Sequence, residues 1–281
     1  MRVITRVDLK EGIKRICRES HYHLQDDLLL LLQQYRDNES NEIGRDVLDT
    51  ILENAHLASA VKRPLCQDTG IGIFFVEIGE SVVLEEEGLK DIISEAMEET
   101  YREESFRKST VSDPLFLRNN SGDNLPPLIH WEISSGNVLR LTFFPKGAGA
   151  ENMSRVRMFK PLAGKEEIID FVLDTVSRAD GNPCPPLIIG VGVGGTFDYA
   201  PILAKKALLR PLLARNTNPE WAALEDELLN RINELGIGPM GLGGDTTALK
   251  VSIIEHPCHT ASLPVAVNLQ CHSHRHKTIT F

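Results

Sequence analysis

The stretch NPCPPLIIGVGVGG, residues 182–195, decides how the rest of the chain is read. Its run from 186 to 193 is β-branched and apolar, as expected of a buried strand. Its glycines fit the spacing GxGxxG, which in a βαβ unit would mark a dinucleotide site. Such a site also calls for an acidic residue about 20 positions on, and Arg210 stands there amid Leu208, Leu209 and Leu212. No βαβ pattern precedes the stretch. The glycines are therefore expected to form a loop where backbone approaches backbone closely.

Outward from this strand, the segments do not alternate strictly between strand and helix. Residues 7 to about 60 carry apolar side chains at helical spacing: Leu28, Leu31, Leu32 and Tyr35, then Ile43, Val47, Leu48, Ile51 and Leu52. Residues 62–70, KRPLCQDTG, form a loop, and 71–78, IGIFFVEI, a strand. Helices are expected over 85–101, 166–178, 200–213 and 220–235. Strands are expected over 128–133 and 138–144, separated by a hairpin-type Ser-Ser-Gly-Asn turn, and over 247–254 and 263–267. Residues 113–127, rich in Asn, Gly, Asp and Pro, form a loop, as do 146–152. The fold class is α+β: a helical N-terminal portion followed by a mixed sheet region whose loops carry cysteines. The expected division is a helical subdomain over 1–61 and an α+β domain over 62–281, with one continuous domain as the alternative.

Composition narrows the function. The 281 residues can bury a substantial core, and the apolar and charged shares, 42% and 25%, are ordinary for a globular protein. The net charge of −10 repels a nucleic-acid backbone. It repels small anions too, so an anionic substrate would need local cations or a metal. No run approaches the ~18 apolar residues of a membrane span, and the N-terminus has no apolar core of a signal peptide. A cytoplasmic protein is expected, without nucleic acid or membrane partners.

The five cysteines are Cys17, Cys66, Cys184, Cys258 and Cys271. Their wide spacing, without a CxxC pair, suggests neither a disulfide framework nor a zinc ribbon. Cys66, Cys184 and Cys271 each stand beside Pro, Gly or polar loop residues. Cys17 lies in an apolar helical stretch, and Pro257-Cys258-His259 is again loop-like. Spacing alone does not choose between buried structural thiols and metal ligands. Gln67, Asp68, His259 and His272 beside the loop cysteines favour ligands. Three thiolates on an iron–sulfur cubane would leave one iron open to act as a Lewis acid. Elsewhere, residues 241–247, GLGGDTT, form a turn or an anion-binding nest of N–H groups. Arg107 is a candidate carboxylate grip. The tract His272, His274, Arg275, His276 suits an exposed strand as well as a metal, and nothing prefers the metal.

Five motifs, RPLCQDTG (63–70), KGAGAEN (146–152), NPCPPLIIGVGVGGTFDYAPILAKKALLR (182–210), GLGGDTTAL (241–249) and HTASLPVAVNLQC (259–271), occur in the order found in class I fumarate hydratases. The chain resembles the alpha subunit of that iron–sulfur family, which includes L(+)-tartrate dehydratases. The resemblance implies a 4Fe–4S cluster on Cys66, Cys184 and Cys271, excluding Cys258. It implies catalytic roles for His259 and Asp68, and substrate contacts from Gln67, Arg107 and Gly149. Arg107 is aligned through FRKS (106–109). Ala148 replaces the middle of three glycines usual in the family loop. The resemblance also implies a beta subunit that completes the active site in a hetero-oligomer and supplies the proton-abstracting residue, and the end of the chain shortly after Cys271 agrees. The implied reaction is reversible hydration of fumarate to (S)-malate; dehydration of L(+)-tartrate is the close alternative. A non-catalytic metal-binding assembly subunit is the alternative of another class, and a colourless, zinc-loaded chain would favour it.

Overall fold

The computed structural model describes residues 3–86 and 88–281. Helices α1 (Arg6–Tyr22), α2 (Asp26–Asn38) and α3 (Glu42–Val61) make up the N-terminal portion. The later helices are α4 (Leu89–Glu103), α5 (Ala148–Glu151), α6 (Lys165–Ala179), α7 (Tyr199–Ala207) and α8 (Pro219–Asn233). The strands are β1 (Val3–Ile4), β2 (Ile71–Gly79), β3 (Val83–Leu84), β4 (Leu128–Ser134), β5 (Leu139–Lys146), β6 (Arg155–Phe159), β7 (Leu187–Gly194), β8 (Ala248–His256), β9 (Leu263–Gln270) and β10 (Lys277–Thr280). Helices and mixed sheets make the fold α+β, as the sequence indicates. Two compact units form. One takes the described residues up to Leu24, Ala55–Ala148 and Arg275–Phe281; the other takes Gln25–Asn54 and Gly149–His274.

In the first unit the sheet order is β10-β5-β2-β4. β2 pairs antiparallel with β5 and parallel with β4. Helix α1 starts on Thr5, whose hydroxyl accepts the Asp8 N–H at 3.0 Å. Its stripe Leu9, Ile13, Ile16, Cys17 follows helical periodicity and packs in one core with Phe74, Val76, Met97, Leu141 and Phe143. Cys17 is fully buried there, and burial pushes its thiol well above the usual range. It is a structural cysteine, as its sequence context indicates.

The second unit explains the stretch 182–195. Its sheet order is β6-β9-β7-β8, and every residue of β7 is buried. Alternate side chains of β7 point to opposite faces. Leu187, Ile189, Val191 and Val193 join a core with Val172 and Val176 of α6 and Leu228 and Ile232 of α8. Of the intervening positions, two hold glycine, Gly190 and Gly192. A Cβ on Gly190 would fall 2.0 Å from the Ala204 carbonyl oxygen, and one on Gly192 2.1 Å from that of Ala200. Helix α7 thus lies with its backbone almost on the strand. The glycines serve close packing, as expected, though within a strand rather than a loop.

This contact gives a stability prediction. Gly190→Ala puts a methyl inside a carbonyl's van der Waals radius and forces α7 away from β7. Overpacking of this kind costs about 3 kcal/mol. In a chain of this size the thermal midpoint should fall by ~6 °C or more. A midpoint within ~1 °C of wild type would contradict the packing.

The structure corrects several local expectations. The turn at residues 134–137 closes no hairpin, because β2 lies between β4 and β5. The turn instead folds over the end of β2, where Glu80 N–H donates to Ser134 O and Ser81 N–H to Gly136 O. Helix α4 begins at Leu89, since Val83 and Leu84 pair with β1; Glu87 lies outside the described residues. The helix expected over 200–213 ends at Ala207, and turns follow. The glycine loop at 146–152 contains the single turn α5. The histidine tract is no exposed strand: His274 and His276 are buried, and β10 begins only at Lys277. Strand β6, whose side chains are mostly exposed, lacks the apolar run that would reveal it.

Candidate active site

Cys66, Gln67, Asp68 and Arg107 all belong to the first unit. The turn carrying Cys66 is fixed from several directions. Leu65 N–H donates to the His21 carbonyl at 2.9 Å. The Cys66 sulfur accepts the Asp68 N–H at 3.4 Å. The Tyr101 hydroxyl donates to the Thr69 carbonyl at 3.1 Å, and Arg275 donates through Nη2 to the Asp68 carbonyl. The Thr69 hydroxyl donates to the Arg107 carbonyl, which ties the two candidate segments together. Buried Asn124 completes the brace: its Oδ1 accepts the N–H groups of Ser109 (2.7 Å) and Thr110 (3.1 Å), and its Nδ2 donates to Gly70 O.

The Asp68 carboxylate is engaged on both oxygens. Oδ1 accepts Gly70 N–H at 2.9 Å and the Ser109 hydroxyl at 3.5 Å; Oδ2 accepts Ala148 N–H at 2.9 Å. Ala148 thus gives its N–H to the turn. Gln67 and Arg107 are exposed. Among the described residues no hydrogen bond or ion pair engages the Arg107 guanidinium. An exposed, uncommitted cation on a braced segment suits the capture of a carboxylate.

His21 lies beneath the turn. Its Nδ1 is 2.7 Å from the Cys17 carbonyl, and its Nε2 is 3.2 Å from that of Thr69. Burial, and next the nearby charge of Arg275, lower its pKa to about 3. The ring is therefore neutral at ordinary pH and acts as a fixed strut.

Cys184, Cys271, His259 and Gly149 belong to the second unit. Cys184 follows the end of α6 in a left-handed conformation, φ 57°, which is costly for a residue with a Cβ. Its N–H donates to Gly181 O at 3.0 Å. Its carbonyl accepts both the backbone N–H of His272, at 3.3 Å, and the His272 ring through Nδ1, at 3.0 Å. These bonds hold residue 272 against Cys184, and the adjacent Cys271, at the end of β9, with it. Gly149 is exposed in α5. His259 is exposed, and its Nδ1 accepts the Ala261 N–H at 3.0 Å. That bond places the ring proton on Nε2, which makes Nε2 a donor.

None of the cysteines forms a disulfide. Cys66 and Cys184 on their braced turns and Cys271 at the end of β9 are all half-buried, whereas Cys17 is sealed in the core. Cys258 is exposed and gives its S–H to the Ser262 carbonyl at 3.2 Å. A set of three accessible thiols fits the soft ligand chemistry of an iron–sulfur cluster. Among the described residues no group of three or more His, Cys, Asp or Glu side chains is gathered as for a single metal ion.

The turn at 241–247 does receive an anion, but from the chain itself. The N–H groups of Asp245 and Thr246 donate to the buried Glu39 carboxylate at 2.8 and 2.9 Å. No sequence spacing links Glu39 to that turn. The sequence does not single out Arg275, which braces the Asp68 carbonyl; its place in the tract after Cys271 is the available signal.

Comparison with known proteins identifies the family. The family model described as fumarate hydratase (Fumerase) matches residues 10–280. The putative L(+)-tartrate dehydratase subunit alpha of Methanocaldococcus jannaschii is 44% identical over 273 residues, covering 95% of each chain. The L(+)-tartrate dehydratase subunit alpha of Escherichia coli K12 is 33% identical over 259 residues, covering 91% of this chain and 85% of its own. The chain belongs to the fumarate hydratase family, and with it to the hydro-lyases. Among the described residues no helix is long and apolar enough to cross a membrane.

Proposed function

We propose that the chain is the alpha subunit of a cytoplasmic iron–sulfur hydro-lyase that reversibly hydrates fumarate to (S)-malate, completed by a beta subunit. Cys66, Cys184 and Cys271 hold a 4Fe–4S cluster in this reading. The observation that carries it is the braced turn of the first unit, which presents an accessible thiol, an exposed amide and a segment bearing an uncommitted guanidinium. A bound cluster supplies a Lewis-acidic iron without a protein ligand.

The chain's own residues do the rest. Arg107 grips one carboxylate through its planar fork, and Gln67 and the backbone N–H of Gly149 add donors. Asp68 keeps the turn in register through its N–H acceptors and orients the substrate hydroxyl. His259 offers its Nε2 proton to that hydroxyl. The base that takes the carbon-bound proton comes from the beta subunit. Local positive charge offsets the repulsion of the net −10 surface.

The names of the relatives favour a second substrate, L(+)-tartrate, which differs by one hydroxyl. The test is anaerobic isolation of the chain with its partner, followed by assays on (S)-malate, fumarate and L(+)-tartrate. Higher kcat/KM on malate and fumarate supports the first reading. Preference for tartrate replaces the substrate, and turnover of none of the three rejects both.

A further inference from the structure

Arg275 is 3% exposed, and its guanidinium has no carboxylate within ion-pair distance among the described residues. Nη2 donates to the Asp68 carbonyl. Nε and Nη1 are buried without a hydrogen-bond partner. The Asp68 carboxylate, on the very residue Arg275 holds, is committed instead to Gly70, Ser109 and Ala148. A buried cation without a counter-charge is expensive, and orphaned guanidinium N–H groups add to the cost. Its charge reaches the surroundings, because it contributes to holding His21 neutral. Other groups facing it are the Tyr101 hydroxyl and His21, neither of them anionic.

A fold that only needed to fill this space would use an apolar side chain. Retention of an uncompensated charge makes sense where a negative charge arrives later. Resting on the reading of the Cys66–Gln67–Asp68 turn as the dicarboxylate site, we propose that Arg275 is a positioning residue. It holds that turn through the Asp68 carbonyl and supplies a fixed positive charge to the dianionic substrate bound there. It does not touch substrate, since its free N–H groups are enclosed.

Arg275→Met and Arg275→Lys in the full complex test this. Arg275→Met removes the buried charge, so the thermal midpoint of the substrate-free protein should stay level or rise. The KM for malate should rise ~10-fold or more, kcat should change by less than ~3-fold, and iron and sulfide content should stay at the wild-type level. Arg275→Lys keeps the charge and should bring KM back to within ~3-fold of wild type. A KM for Arg275→Met within ~3-fold of wild type would show a purely structural residue and overturn the proposal; if Arg275→Met does not fold, a KM raised ~10-fold or more in Arg275→Lys, which keeps the charge, would overturn it. So would loss of iron without a change in KM, which would assign the charge to the cluster. If wild type turns over no dicarboxylate, the site reading has failed. The midpoint comparison then still reports separately whether the charge is uncompensated.

Discussion

Cys66→Ser, isolated anaerobically with its partner, is expected to contain little iron or sulfide and to lose hydration activity by at least ~10³-fold. A serine hydroxyl is a harder and weaker ligand than a thiolate, and the turn offers no other sulfur to replace it. Lewis-acid stabilisation at a metal is worth several kcal/mol, and each 1.36 kcal/mol is tenfold in rate. Cys184→Ser and Cys271→Ser should behave alike. Cys258→Ser is the control: that thiol is exposed and bonded to the Ser262 carbonyl, so iron content and rate should match wild type. Equal iron in Cys66→Ser and wild type would remove Cys66 from the ligand set.

The second large effect concerns Arg107. Arg107→Met should raise the KM for the dicarboxylate ~10–100-fold, the value of a hydrogen bond to a charged group. The thermal midpoint should move by less than ~1 °C, because the turn is tied to the Arg107 backbone carbonyl rather than to its side chain. Arg107→Lys should fall between, since an ammonium keeps the charge but loses the planar fork. Steady-state kinetics and a melting curve suffice. An unchanged KM would place the carboxylate elsewhere.

Much of this architecture is legible in the residues because it rests on local pattern. Helical spacing reveals α1 to α3, and the β-branched runs reveal β2 and β7. The glycines of β7 announce a close approach, though only the structure shows that α7 makes it. The hairpin misreading at residues 134–137 has a physical origin: a local turn signal says nothing about whether a third strand lies between its two arms. Strand β6 escapes notice because its side chains are largely exposed, so it has no apolar run.

The site divides in the same way. Cys66, Gln67, Asp68 and Arg107 stand out through their motifs. What braces them does not, because His21, Tyr101, Asn124 and Arg275 come from separate stretches of the first unit. Each is an ordinary residue in its own local context. The Glu39 carboxylate under residues 245–246 is likewise a long-range pairing that no spacing predicts. Arg275 stands between two histidines that are buried as it is, and its bond to the Asp68 carbonyl sets it apart.

In the proposed function Cys66, Cys184 and Cys271 hold a cluster, which would leave one iron open to a dicarboxylate. The most direct measurement is the electronic spectrum and electron paramagnetic resonance of the anaerobically isolated complex, with iron and sulfide determined, before and after addition of malate. About equal iron and sulfide are expected, with a reduced-cluster signal that shifts with malate. A colourless protein holding zinc, or a cluster signal indifferent to malate, fumarate and tartrate, would contradict the proposed function.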